Sequence, residues 1–305
     1  MVLAWISNLI HLKHTLMIRH FVFVIALLTS TFICQSSANE TTLDQALDHF
    51  DAGHYELALR GFESIRDKNN PDITYYLARS YFHEGRLEPA MALFRENVGR
   101  FPNHAKSHFL LGSVSLTMVA GASIFKKFGL AKSALTSWHR AVDLENDNVE
   151  AIYGLASFYL NAPSIAGGDN EKAQIQIDRL SSLSMPYTKL IIAAKKSKAG
   201  EKETAEQLII GAIKEIPDRA FPVLILADYY FKEGRFKDAL DQTENYQSRK
   251  KTWNDPGIAQ TALLTGRIHK GLGNIDKAKV EFNKAINALT HEHIKKLAIK
   301  ELKTI

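Results

Sequence analysis

From residue 41 to about residue 290, apolar side chains return every three or four positions with polar residues between them, the spacing that gathers them on one face of a helix. The helical stretches are short and are broken by glycines at a recurring place. "YFHEGRLEPAM" at Tyr81 to Met91 and "YFKEGRFKDAL" at Tyr230 to Leu240 are near copies of one such break. Aligned on G-x-x-x-x-A, with Tyr55, Leu87 or Phe236 at the third position in three units, the spacing occurs seven times, ending in Ala58, Ala90, Ala134, Ala173, Ala205, Ala239 and Ala278, at steps of 32, 44, 39, 32, 34 and 39 residues. Five residues before each alanine stands Gly53, Gly85, Gly129, Gly168, Gly200, Gly234 or Gly273, where a positive φ can end one helix before the next begins. Four residues after it comes Phe62, Phe94, Trp138, Ile177, Ile209, Thr243 or Phe282, one turn along the same face, with Thr243 the exception to a large apolar set. Each unit predicts helix, tight turn, helix.

These units resemble the tetratricopeptide repeat family, whose 34-residue helical hairpins stack into a superhelix. In the second unit Leu77, Ala78, Tyr81, Gly85, Leu87, Ala90, Phe94 and Pro102 all fall at family positions, with Pro102 suited to the first turn of the next helix. The sixth matches nearly as well through Leu226, Ala227, Tyr230, Gly234, Phe236 and Ala239. The resemblance implies an all-α solenoid, a right-handed superhelix of about seven repeats over residues 39–290. After it, "HEHIKKLAIKELKTI" puts Ile294, Leu297, Ala298, Leu302 and Ile305 on one stripe, predicting a capping helix within 291–305.

In the family, the groove lined by the first helices commonly binds extended or helical peptides. Carried over position by position, the resemblance implies a groove lined by Tyr75, Tyr76, Arg79 and Phe82, then Phe109 and Ser113, then Tyr153 and Ser157, then Leu224, Asp228 and Phe231, then Leu263 and Arg267. Tyrosine and arginine suit such a surface because each joins apolar area to a hydrogen-bonding end. The other reading is that several of these side chains pack against neighbouring repeats. A clamp for a C-terminal carboxylate needs lysine and asparagine on adjacent first helices. The corresponding positions are Leu47, Arg79, Ser113, Ser157, Ala194, Asp228 and Arg267, without an asparagine, so that groove type is disfavoured.

Three steps exceed the period, and the first two of them adjoin. About ten extra residues fall in the third unit within "LTMVAGASIFKKFGLAKSA", and about five in the fourth within "NAPSIAGGDNEKA". Hairpin turns lie along one edge of a solenoid, so the insertions predict a raised ridge, with Ile124, Phe125 and Phe128 beside Lys126 and Lys127. Such a ridge could meet a partner or a membrane surface. Alternatively, the helices run longer and bury these residues against each other.

Composition changes the picture little: 305 residues, 46% hydrophobic and 23% charged, are ordinary for a globular chain and exclude disorder. The N-terminus changes it more. "MIRH" from Met17, the apolar "FVFVIALL", and Ser36 and Ala38 at small-residue positions predict a signal peptide cleaved after Ala38, with residues 1–38 an upstream extension and leader and Met17 a second candidate start. Uncleaved, it would be an inner-membrane anchor, although Phe21 to Ile33 is shorter than the roughly 20 residues a span needs. Cys34, the single cysteine, lies in this segment, so the predicted mature chain has no thiol chemistry. Removing Lys13 and Arg19 with the leader lowers the net charge from +5 to +3, too mild to argue for nucleic acid.

Little supports catalysis. His104 and His108 lie one turn apart and His291 and His293 flank Glu292, but two ligands make a weak metal site and HExxH is absent. "SIAGGD" follows a helix and lacks the lysine of a phosphate loop. The expectation is a non-catalytic periplasmic or envelope scaffold without cofactor or metal, binding a protein or peptide through the groove or the ridge. A peripheral membrane-associated assembly factor and a metal-dependent or other enzyme are the alternatives. A larger side chain at the repeated alanine would overpack the helix contact by about 1–3 kcal/mol. Ala90→Leu and Ala239→Leu are each expected to lower the thermal midpoint, and an unchanged midpoint in both would refute this register.

Overall fold

The computed structural model describes residues 42–67, 69–249, 255, 257–288 and 292–305; the predicted leader, Cys34 and His291 lie outside them. Among the described residues the chain is all α, without a strand. Helices pair in chain order: α1 (Leu43–Asp51) with α2 (Tyr55–Ser64), α3 (Pro71–His83) with α4 (Leu87–Arg100), α5 (Ala105–Val119) with α6 (Ile124–Leu144), and α7 (Val149–Asn161) with α8 (Asn170–Leu183). Then come α9 (Met185–Lys198) with α10 (Lys202–Glu215), α11 (Phe221–Lys232) with α12 (Phe236–Ser248), α13 (Ile258–Gly271) with α14 (Ile275–Asn287), and a last helix α15 (Glu292–Leu302). Helices of one hairpin contact each other more than either contacts the next hairpin, and hairpins touch chiefly their neighbours in sequence, the topology of a solenoid.

The repeated alanines sit where the two helices of a hairpin meet. Ala58, Ala90, Ala134, Ala173, Ala205, Ala239 and Ala278 are all buried, as are the seven side chains one turn further on. Thr243 enters this apolar row by donating its hydroxyl to the Leu240 carbonyl at 2.8 Å, while Tyr246 fills the space beside Ala220 and Val223. Trp138 and Phe282 are accommodated by glycines on the facing helices. A methyl group on Gly112 would fall 2.6 Å from the Trp138 ring, one on Gly154 of the next hairpin 3.0 Å from the same ring, and one on Gly266 2.6 Å from Phe282. The Trp138 indole N–H donates to the Phe109 carbonyl at 3.1 Å within the third hairpin, while the same ring packs on Gly154 of the fourth.

The turns depart from expectation in two hairpins. Gly53, Gly85, Gly200, Gly234 and Gly273 take positive φ between their helices, but Gly129 lies inside α6. The extra residues of the third unit extend α6 to 21 residues and move its turn back to residues 120–123. In the fourth, a 3-10 turn at Ser164–Ala166 precedes Gly167, which takes the positive φ expected of Gly168, and Asp169 caps α8 by accepting from the Glu171 and Lys172 amides. Pro102 stays in the loop before α5, where its carbonyl accepts from His108 Nε2 at 3.0 Å. At the C-terminus Ala298 is buried, and Ile294, Leu297, Leu302 and Ile305 cover the last hairpin. Glu301 holds that contact from the side, 2.8 Å from Arg267 and 2.9 Å from Lys270. No described helix is long and apolar enough to cross a membrane.

Gly112→Ala and Gly266→Ala should each overpack by about 1–3 kcal/mol and lower the thermal midpoint. Gly99→Ala, on an exposed stretch of α4 with open space around it, should leave the midpoint unchanged or raise it. Equal behaviour of the three variants in a melting series would contradict this packing.

Candidate functional site

The stacked hairpins curl until the two ends of the array approach each other. Asp51, Gly53 and Tyr55 at the turn of the first hairpin, and Tyr246, Asp255 and Gly257 around the entry to the seventh, border one central cavity of about 1410 Å³. Its wall is built by the inward faces of the first helices. Phe82, Phe109, Ser113, Tyr153, Asp228, Phe231 and Arg267 all line it, together with Leu224 and Leu263.

The remaining predicted groove residues lie elsewhere. Tyr75 and Arg79 are buried and Tyr76 is half-buried, because α1 covers this part of α3. The Arg79 guanidinium stands 4.5 Å from the Phe50 ring centre, 5.1 Å from Tyr75 and 5.3 Å from Tyr76, a cation held on aromatic faces. Burial pushes the Tyr75 hydroxyl up to about 12. Ser157 is half-buried on α7 and its carbonyl accepts from Asn161 Nδ2 at 2.8 Å. Of the ridge residues, Ile124, Phe125, Lys126 and Phe128 are exposed and Lys127 is half-buried.

Three wall residues, Glu150, Tyr187 and Phe221, were not expected. Each stands seven residues before an inner position already assigned (Ser157, Ala194 and Asp228), hence two turns earlier on the same helix face. That spacing was the available signal. Tyr153 meets Tyr187 edge-on at 5.4 Å, and Tyr187 meets Phe221 at 5.5 Å, so aromatic rings from α7, α9 and α11 form a continuous strip. Burial pushes the Tyr153 hydroxyl up to about 12, and the Tyr187 hydroxyl donates to Glu150 at 3.4 Å.

The charged part of the wall is predominantly acidic. Among the described residues it presents Asp51, Glu84, Glu150, Asp228 and Asp255 against the cations Arg267 and Lys284. Arg267 is already engaged by Glu301, and Lys284 lies 3.6 Å from Glu281. Arg219 reaches Glu150 at 3.4 Å and Lys232 reaches Asp228 at 2.5 Å. Burial raises the Glu84 carboxyl, with Glu56 adding to the effect. His104 Nδ1 contacts Ser107 Oγ at 2.7 Å and its Nε2 contacts Asp72 at 3.3 Å, so this histidine fastens a loop. No group of three or more metal-ligating side chains occurs among the described residues.

Residues 43–105 match the family model described as Tetratricopeptide repeat. Over that stretch the chain carries tetratricopeptide repeats, and its all-α stack of hairpins has the fold of a tetratricopeptide repeat solenoid. Among solved structures, a tetratricopeptide repeat protein from Parabacteroides merdae is similar at 17% identity over 84% of this chain and 97% of that one, with a TM-score of 0.51. The human IFIT1 dimer with PPP-AAAA is similar at 18% identity over 79% of this chain, with a TM-score of 0.50, and the match spans 53% of the IFIT1 chain. No curated protein matches. These similarities are of fold. Tetratricopeptide repeat proteins are generally non-catalytic, and the fold suggests a protein-interaction scaffold.

His83 borders the cavity and stacks on Tyr55 at 4.3 Å with the rings 8° apart. Its Nε2 is buried without a hydrogen-bond partner among the described residues. Burial, reinforced by the Arg79 charge, pushes His83 from 6.5 down to about 3. Between those values the unfolded chain binds a proton that the folded chain does not, so stability falls as pH falls through that window. His83→Phe keeps an aromatic ring on Tyr55 and should remove about 2 kcal/mol of the stability lost between pH 7 and pH 5, measured by urea unfolding at both pH values. The same pH dependence in the variant would show that His83 does not cause it.

Proposed function

We propose that this protein is a non-catalytic scaffold of the bacterial periplasm or cell envelope that holds a segment of a partner protein in its central cavity. The observation carrying the proposal is the wall itself, an aromatic strip from several successive hairpins bordered by an excess of carboxylates. Such a wall suits a peptide with apolar and basic side chains. Rings accept apolar groups and the faces of cations, while the carboxylates draw lysine and arginine inward. Phosphate-rich ligands meet the opposite field, which disfavours nucleic acid. The envelope location is supported by the leader-like residues 17–38.

Short random peptides displayed on phage and selected against residues 39–305 test the reading directly. Enriched sequences should combine lysine or arginine with aromatic or branched aliphatic residues. For a peptide synthesised from that set, Phe231→Ala should weaken the dissociation constant by about tenfold or more. Asp228→Asn should weaken basic peptides more than neutral ones. Enrichment of acidic peptides, or binding indifferent to both substitutions, would overturn the assignment of this wall.

A further inference from the structure

The third hairpin carries a surface that the cavity does not use. Its second helix, α6, has 21 residues where α4 has 14, and seven extra residues at about 1.5 Å each carry the helix roughly 10 Å further. At the projecting end Phe125 is 90% exposed, Ile124 61% and Phe128 42%. Phe125 and Phe128 lie close to one face of the first turn, with Lys126 and Lys127 beside them. Residues 97–142 contain no aspartate or glutamate, while Arg100, Lys106, Lys126, Lys127, Lys132 and Arg140 all lie within them.

Neighbouring elements extend the same chemistry. The 3-10 turn of the fourth hairpin packs against α6 and exposes Ile165. At the tip of the third hairpin, a methyl group on Gly121 would lie 3.3 Å from His293 Cβ, so the start of α15 adjoins the tip and brings Lys295 and Lys296 to that side of the molecule.

We propose that the tip of the third hairpin, with the adjoining turn of the fourth, docks on an anionic lipid bilayer surface. Charge complementarity favours this occupant, because exposed aromatic and aliphatic side chains among lysines match the boundary between anionic headgroups and acyl chains, and the nearby acids are paired, Glu292 with Lys296 at 3.9 Å and Asp169 with Lys172 at 3.1 Å. Shape favours it as well. A stable protein interface needs about 800 Å² per partner, and a few side chains on a projecting end do not supply that area, whereas they suffice to enter an interface 5–10 Å deep. Docking here leaves the cavity wall unobstructed, since none of Ile124, Phe125, Phe128 or Ile165 borders it.

Flotation with extruded vesicles tests the proposal, using the chain from Asn39 onward, which keeps all seven hairpins and α15 while removing the apolar leader. The protein should float with vesicles of phosphatidylglycerol and phosphatidylethanolamine, stay down with pure phosphatidylcholine, and release in high salt. Phe125→Glu with Phe128→Glu should abolish flotation while the melting curve and circular dichroism hold, because both side chains face solvent. Lys126→Gln with Lys127→Gln should weaken binding to the anionic vesicles about thirtyfold, each lysine near such a surface being worth about fivefold. Failure of the unaltered protein to float, or equal flotation of the phenylalanine variant, would overturn the proposal. A ridge that instead recruits a protein would give the first of these results.

Discussion

The architecture depends on how closely two helices can approach. Each hairpin places a buried alanine at the crossing, and the first helix carries a small residue at the matching register, alanine in five hairpins (Ala46, Ala78, Ala156, Ala193, Ala227) and glycine in two (Gly112, Gly266). In every hairpin but the sixth, which has Thr243, a large side chain one turn further along the second helix closes the contact. With the crossing distance held this way, every hairpin has nearly the same thickness, and identical units stacked at a constant small rotation must curve. The curvature produces an inner face, and the inner face produces the cavity.

Local periodicity made much of this legible. Alanine and glycine at fixed offsets reveal a hairpin because their constraints, close approach and positive φ, act within a few residues. The third unit shows where that logic stops. Counting back from Ala134 assigns the turn to Gly129, but extra residues shift a turn without altering the apolar pattern beyond it, and α6 absorbs Gly129 as a helical residue. The inner face was only partly legible for the same reason. Residues four apart on one helix were assigned, and those two turns earlier, Glu150, Tyr187 and Phe221, were missed.

Contacts between hairpins left no trace in the sequence pattern. Tyr75 and Arg79 carry side chains suited to a binding surface, yet Phe50 from the preceding hairpin covers them. Arg267 looks like a free groove cation until α15 folds back and supplies Glu301. The approach of Asp51 and Tyr55 to Tyr246, Asp255 and Gly257 is set by the summed rotation of the hairpins between them. No local motif encodes such a sum.

A cavity bounded by the two ends of one coil behaves as the gap in a spring. A small change in the angle at any joint is multiplied along the array before it reaches the gap. The joint at Trp138 lies near the middle of the stack, where one ring packs against Gly112 of its own hairpin and Gly154 of the next. The bore of this protein is therefore tuned at a joint that belongs to its own wall, since Trp138 and Gly154 both border the cavity.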